Sequence, residues 1–228
     1  MKKILLFNCL FLVSCFDIFH YMEINSEKKF HSEYRIRFSK VLFSMAQEQG
    51  GNGLSNFNLD ELLKKLESAF PLGKITAEKK ESDTALIFHI KYDGKEIALD
   101  KKISADIFPV VPYKDEFNQY VLLFLQKQKN QTLDGNMMAE AILSGPVYRI
   151  LLGGELKPKS ANFITATEVT KLDIIPLGTQ FLIEFPISSV MKSDSSLVIS
   201  FNAESKLDSI QNFLKKTANP TKTVKDVL

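Results

Sequence analysis

The 228-residue chain is 45% hydrophobic and carries 29 basic and 27 acidic residues, a formal net charge of +2. This balance argues against a nucleic-acid-binding protein, which normally presents a strongly basic face. With 18 phenylalanines and only two cysteines, the chain is expected to be held by a hydrophobic core rather than by a disulfide framework.

The N-terminus has the pattern of an export signal. Lys2 and Lys3 precede an apolar run from Ile4 to Val13, which Ser14 and Cys15 follow. A basic start, a short apolar core and small residues at a cleavage site define a secretory signal peptide. An uncleaved membrane span is disfavoured, because about 10 residues rise only ~15 Å as a helix against ~30 Å of hydrocarbon. A buried strand or helix of a cytosolic fold is the other alternative.

The end of this segment, Leu12-Val13-Ser14-Cys15, resembles the lipobox of bacterial lipoproteins. The resemblance implies cleavage between Ser14 and Cys15, a diacylglycerol on the Cys15 thiol and an acyl chain such as palmitate on the new amino group. It also implies a bacterial cell-envelope protein, anchored at the outer membrane, at a periplasm-facing membrane leaflet or at the cell surface. Cleavage would remove Cys9 and two basic residues but no acidic ones, which leaves a neutral body.

The first half of the body is expected to contain two strand pairs and a helix. Alternating apolar and charged residues predict a strand over Glu33–Phe38, and a polar turn would pair it with His20–Ile24. The clearest helix is Asn58–Phe70, with Glu61 completing a capping box and Leu59, Leu62, Leu63, Leu66 and Phe70 on one apolar face. Thr84–Tyr92 is a predicted strand, and Asp93-Gly94 is expected to turn a hairpin into Glu96–Leu99.

The second half is predicted to be rich in short strands separated by turn residues. The candidates are Tyr120–Leu125, Val147–Leu152, Asn162–Thr167, Val169–Ile175, Gln180–Phe185 and Leu197–Phe201. Tyr120–Leu125 has few β-branched residues, so a helix is the alternative there. Ile107 to Val111 is a further apolar run, and short helices are expected over 136–143 and 207–214. The predicted fold is α+β: a predominantly antiparallel β-sheet with the amphipathic helix of about 58–70 packed on it and a short C-terminal helix. We expect a signal peptide over 1–14, a single globular domain over 15–216 and a flexible polar tail over 217–228.

No catalytic, cofactor-binding or metal-binding residues are predicted. The three histidines, His20, His31 and His89, lack ligand spacing, although His20 and His31 could face each other across the first hairpin and hold a metal weakly. Ser189–Lys192 matches S-x-x-K where a strand is expected to give way to a loop, not at the start of a helix. The glycines at 50–53 and 153–154 lack a phosphate-binding motif, and the pairs Asp60/Glu61 and Asp115/Glu116 suit a helix start and a solvated turn.

Seven phenylalanines are predicted to make an aromatic-rich sheet: Phe88, Phe108, Phe117, Phe124, Phe163, Phe181 and Phe185. Packing in a core is the simpler interpretation. The alternative is an apolar cavity between sheet and helix that holds an acyl chain or another apolar ligand.

The order of predicted elements resembles the LppM-type bacterial lipoprotein domain. The matching parts are His20–Phe43, Asn58–Phe70, Lys74–Tyr92 and Tyr148–Phe185, with Asn162 as the nearest equivalent of an asparagine in that family. The resemblance implies a compact α+β envelope protein that binds lipid or glycolipid. The sequence thus predicts a membrane-anchored, non-enzymatic lipoprotein that binds a ligand or an envelope protein partner at the membrane surface. The alternatives are a lipid or glycolipid carrier and an envelope hydrolase with an unrecognised active site.

Overall fold

The structure is a computed structural model that describes residues 16–25, 27, 29–40, 64, 67, 73–98, 111–125, 145–191 and 194–217. The strands within these residues are β1 (Phe16–Ile24), β2 (Phe30–Ser39), β3 (Gly73–Glu81), β4 (Ala85–Gly94), β5 (Ile97–Ala98), β6 (Tyr113–Lys114), β7 (Gln119–Phe124), β8 (Val147–Gly154), β9 (Ser160–Thr165), β10 (Val169–Leu172), β11 (Ile175–Leu177), β12 (Gln180–Pro186) and β13 (Ser195–Ser200). The helices are α1 (Ile187–Met191) and α2 (Asp208–Thr217).

The strands form two sheets. The first has seven strands in the order β11-β12-β8-β1-β2-β4-β3, and the second has six in the order β10-β9-β13-β7-β6-β5. All neighbours are antiparallel except β1 with β8 and β5 with β6, which are parallel. The prediction of a mostly antiparallel β fold with short helices is therefore confirmed at this level.

The predicted hairpin at the start of the body is confirmed. β1 and β2 pair antiparallel along their whole length, from Phe16 opposite Phe38 to Ile24 opposite Phe30. The turn is closed by Asn25, whose side-chain oxygen accepts hydrogen bonds from the backbone N–H groups of Glu27 and Lys29, both at 3.0 Å. An asparagine that bonds to its own turn in this way is a common means of reversing a chain.

The two sheets pack face to face around an aromatic core. The Phe30 and Tyr120 rings lie 5.6 Å apart edge to face, and the Phe124 and Tyr148 rings 5.7 Å apart in the same manner, so each pair joins one sheet to the other. Edge-to-face contacts at such distances are the favourable geometry for aromatic pairs. Among the phenylalanines predicted to form a core, the buried ones are Phe88, Phe124, Phe163 and Phe185, while Phe181 is partly buried and Phe117 is 38% exposed.

Helix α2 covers the outer face of the second sheet as a third layer. Its residues Ile210, Phe213 and Leu214 are buried against a second apolar cluster of that sheet, formed by Val121, Leu123, Ile164 and Val198. The predicted C-terminal helix is confirmed, and its apolar face contacts the sheet directly. In the part of the chain that the structure describes, no helix has the length and apolar character needed to cross a membrane.

Two sequence expectations about strand connections are wrong. Asp93-Gly94 does not turn a hairpin: β4 continues through Gly94, which lacks the positive φ of such a turn, and β5 then pairs with β6 in the other sheet. The expected strand Val169–Ile175 is divided, because β10 ends at Leu172 in the second sheet and β11 starts at Ile175 in the first. In both cases the chain crosses between sheets, and period-2 patterns carry no information on which sheet a strand joins.

Several predicted segments lie outside the described residues. These are the leader with Cys9 and Cys15, the helix over 136–143, most of Ile107 to Val111 with Phe108, the glycines at 50–53 and the tail beyond Thr217. Of the predicted helix Asn58–Phe70, only Lys64 and Glu67 are described, and both are helical and exposed.

Candidate functional site

A cleft of about 330 Å³ opens at one end of the sandwich, where β1, β8 and β13 end and β7 begins. Its apolar wall is formed by Ile24, Tyr120, Leu156 and Phe201. Its polar wall is formed by Glu96, Lys114, Asn118, Glu155, Lys157 and Lys159. The cleft thus combines side chains from both sheets and from the loop between β8 and β9.

Three polar side chains of the cleft are bound to one another. The Lys114 ammonium group donates to both carboxylate oxygens of Glu96, at 3.1 and 2.9 Å, and the Tyr120 hydroxyl donates to one of the same oxygens. Burial raises the pKa of Tyr120, and the adjacent Glu96 carboxylate raises it further. Tyr120 therefore stays protonated as a donor to Glu96, and it is unsuited to act as a phenolate nucleophile.

The rim of the cleft is tied together by main-chain hydrogen bonds. The Glu155 N–H donates to the Ile24 carbonyl at 3.1 Å, and the Lys159 N–H donates to the Ser200 carbonyl at 2.8 Å. These bonds hold the β8–β9 loop to the ends of β1 and β13. The approach to β1 requires Gly154, whose φ is 62° and where any Cβ would overlap the Ile24 carbonyl oxygen. The rim is therefore a preformed frame.

Two lysines of this loop give the cleft its charge. Leu156 and Pro158 are buried while Lys157 and Lys159 are exposed, and both lysines line the cleft. Neither lysine forms an ion pair with the residues that the structure describes. Since Lys114 is neutralised by Glu96, Lys157 and Lys159 outweigh Glu155, the remaining acidic residue of the wall.

The outer face of the first sheet carries a separate cluster of histidines and carboxylates. Glu33 of β2 bonds to His31 at 3.2 Å, to His89 at 3.1 Å and to Lys91 at 3.2 Å. Partial burial tends to raise the pKa of Glu33, but these three hydrogen bonds outweigh it and hold the pKa below its ordinary value. Among the described residues, no group of His, Cys, Asp and Glu is arranged to hold a metal ion. The cluster is a cross-strand ion-pair network.

His20 lies on the opposite face of the same sheet from His31, so the two do not face each other across the hairpin. It is fully buried in the core, where its ring nitrogens lie 2.9 Å from the Ser32 hydroxyl and 3.2 Å from the Tyr148 hydroxyl. Burial raises the pKa of Tyr148 well above its ordinary range. A histidine without solvent contact, satisfied by neutral hydroxyls, serves as a polar link within the core.

The other sequence candidates have local structural roles. Ser189 lies in α1, a five-residue helix and not the expected loop, while Lys192 lies outside the described residues. Asp115 caps a turn by accepting from the N–H groups of Phe117 and Gln119, at 3.0 and 2.9 Å.

The cleft itself was not predicted from the sequence. Its lysines and Glu96 belong to no recognised motif, and the one available signal was the alternation in Leu156-Lys157-Pro158-Lys159 just after a glycine pair. No protein-family model matches the chain, and no curated protein or solved structure shows significant similarity to it.

Proposed function

We propose that the protein is a bacterial cell-envelope lipoprotein, anchored through Cys15, whose non-enzymatic body binds a ligand or partner at the membrane surface. The observation that carries this proposal is the start of β1 at Phe16, directly after the lipobox cysteine. β1 lies inside the seven-stranded sheet, between β8 and β2. Cleavage before Cys15 would therefore leave the first strand of the fold whole and place the lipid next to it.

The anchor would act by confinement. Each buried CH₂ contributes ~0.8 kcal/mol, so two or three long acyl chains hold a protein on a membrane stably. Confinement to the surface raises the effective concentration of the body for membrane-bound partners. Without a spacer between Cys15 and β1, the body would sit close to the bilayer.

The composition of the cleft supports binding in preference to covalent chemistry. Its described lining contains no serine, threonine, cysteine or histidine, and its tyrosine hydroxyl is engaged by Glu96. Apolar surface combined with a few fixed polar groups is the usual make-up of a ligand site. We propose that the ligand or partner of the anchored protein contacts this cleft.

A lipid or glycolipid carrier, as the LppM-type resemblance implies, is the second candidate. The cleft favours it through its four apolar lining side chains, while the helix of the predicted cavity, 58–70, is described only at Lys64 and Glu67. An apolar ligand would thus enter at the strand ends.

We also propose that 58–70 form the predicted amphipathic helix on the sheet. The exposed, helical Lys64 and Glu67 of its polar face support this proposal.

The anchor is tested by metabolic labelling with a palmitate analogue. Wild-type protein should be labelled and should fractionate with membranes, whereas Cys15→Ala should lose the label. Cys9→Ala is the matched control, since Cys9 would leave with the signal peptide, and it should be labelled like the wild type. Equal labelling of Cys15→Ala and wild type would refute the anchor.

A further inference from the structure

We infer that the cleft binds a small organic anion: a phosphate or carboxylate group attached to an apolar body of about the size of one ring. This inference rests on the proposed ligand-binding function and adds the chemical class of the ligand. Three features of the cleft carry it, namely the excess of lysines over glutamates among its lining residues, its aromatic wall and its size.

The charge of the cleft selects an anion. Lys157 and Lys159 stand two residues apart on a loop that is fixed at both ends, by the hydrogen bonds to Ile24 and Ser200. Their ammonium groups have no carboxylate partner in the described residues. An oxyanion bound by both ammonium groups would form charge-assisted hydrogen bonds, which are stronger than neutral ones.

The carboxylate of Glu96 is already engaged by other groups of the protein. Both oxygens of Glu96 accept from Lys114, and one also accepts from Tyr120. Three of the about four acceptor sites of this carboxylate are used within the protein, so a ligand cation would compete with Lys114 for it. The carboxylate therefore serves to hold Lys114 and Tyr120 in position.

The aromatic wall of the cleft favours a ligand that has an apolar part. The Tyr120 and Phe201 rings meet edge to face with centroids 5.0 Å apart, and Phe201 is only half-buried. Ile24, likewise half-buried, and Leu156 extend the same wall. A ring or short chain placed here would remove the remaining exposed surface of these side chains from water.

The size of the cleft limits the ligand to a small molecule. Its volume of about 330 Å³ lies at the lower end of the ~300–1,000 Å³ typical of small-molecule sites. Because the rim is preformed, binding would not have to order the loop first, which lowers the cost of association.

The test uses the mature lipidated protein in phosphatidylcholine nanodiscs, titrated calorimetrically with three probes. Phenyl phosphate carries both the anion and the ring, inorganic phosphate only the anion, and phenyl glucoside only the ring. We expect saturable binding of phenyl phosphate, with weaker binding of each partial probe. Its affinity should fall as salt is added, because the lysines act through screened charge.

Variants separate the two halves of the site. The double variant Lys157→Ala/Lys159→Ala should lose about tenfold in affinity for phenyl phosphate and leave phenyl glucoside unaffected. The control Lys171→Ala/Lys215→Ala, which removes two exposed lysines of β10 and α2, should bind like the wild type. Phe201→Ala should weaken phenyl phosphate but not inorganic phosphate.

The outcomes distinguish this inference from the anchor. Folded wild-type protein that carries the Cys15 label but binds no phenyl phosphate would overturn the ligand class and leave the anchor standing. Equal affinity of the lysine double variant and the wild type would overturn it as well. A short-chain phosphatidic acid tests the source of the anion: tighter binding than phenyl phosphate would assign it to a lipid headgroup, and weaker binding to a free metabolite.

Discussion

At the residue scale, the cleft depends on a glycine. Gly154 is the point where β8 leaves the sheet, and its positive φ lets the chain pass against the end of β1. A side chain there would meet the Ile24 carbonyl oxygen, which cannot move without disturbing the hydrogen bond from the Glu155 N–H. The close approach to Ile24 and the positive φ therefore both require glycine at position 154.

Gly154→Ala is therefore expected to destabilise the fold by about 2–4 kcal/mol, from backbone strain together with steric overlap. Gly178→Ala is the matched control, because Gly178 has nearly the same φ, 64°, but has nothing within 4 Å of its Cβ position. Gly178→Ala should lower the free energy of unfolding only by the backbone strain, about 1 kcal/mol. Urea unfolding of the two variants measures the difference, and equal costs would show that the overlap relaxes freely.

Residue alternation was the most reliable signal in the sequence. The alternation over Glu33–Phe38 predicts one apolar face of Tyr34, Ile36 and Phe38; Tyr34 and Ile36 are buried, and Phe38 is partly buried. The same rule places the two histidines on opposite faces of the sheet. His20 is two residues from the buried Ile18 and Met22 and shares their face. His31 lies between the buried Phe30 and Ser32 and is on the other face. The faces of the histidines could thus have been predicted. The hydrogen-bond partners could not, since Tyr148 is 128 residues from His20 in sequence.

At the element scale, α2 shows how a short helix completes a sheet. The second sheet is buried on both faces at β7 and β13, where every residue is buried, and this explains the apolar run of β7 and the shorter one at 197–199 of β13. Such runs predicted strands at the correct positions, but they do not indicate which element packs on each face of the sheet. The periodicity of Leu207, Ile210, Phe213 and Leu214 predicted the helix, and its place on this sheet required the structure.

Leu214→Ala should cost about 2–4 kcal/mol of folding free energy, because Leu214 is fully buried between α2 and the sheet and its truncation leaves a cavity. Leu177→Ala is the same chemical change on β11, where the leucine is 48% exposed, and it should cost well under ~1 kcal/mol. Thermal or urea unfolding compares the two. Similar losses would mean that α2 is not docked as described.

At the scale of the whole molecule, the fold separates the proposed anchor from the cleft. β1 runs from Phe16, next to Cys15, to Ile24 in the wall of the cleft. Eight residue steps along a strand span about 26 Å. Parallel pairing of β1 with β8 then brings the β8–β9 loop to the same far end. The sequence could not predict this, since the paired residues, such as Ile18 and Tyr148, lie far apart along the chain and no local pattern links them.

A lipid anchor at Cys15 therefore predicts a defined orientation on the membrane, with the cleft directed away from the bilayer. Asp83→Cys in the turn between β3 and β4 lies at the Phe16 end, and Lys95→Cys just after β4 lies at the cleft end; both positions are exposed. With the Cys15 thiol lipidated, each variant offers a single reactive thiol for a fluorophore. Energy transfer to acceptors on lipid headgroups should be stronger from position 83 than from position 95, because β4 spans roughly 30 Å. Equal transfer from the two positions would mean that the body lies flat on the membrane. Stronger transfer from position 95 would mean that the cleft faces the membrane, which would favour a lipid ligand over a soluble one.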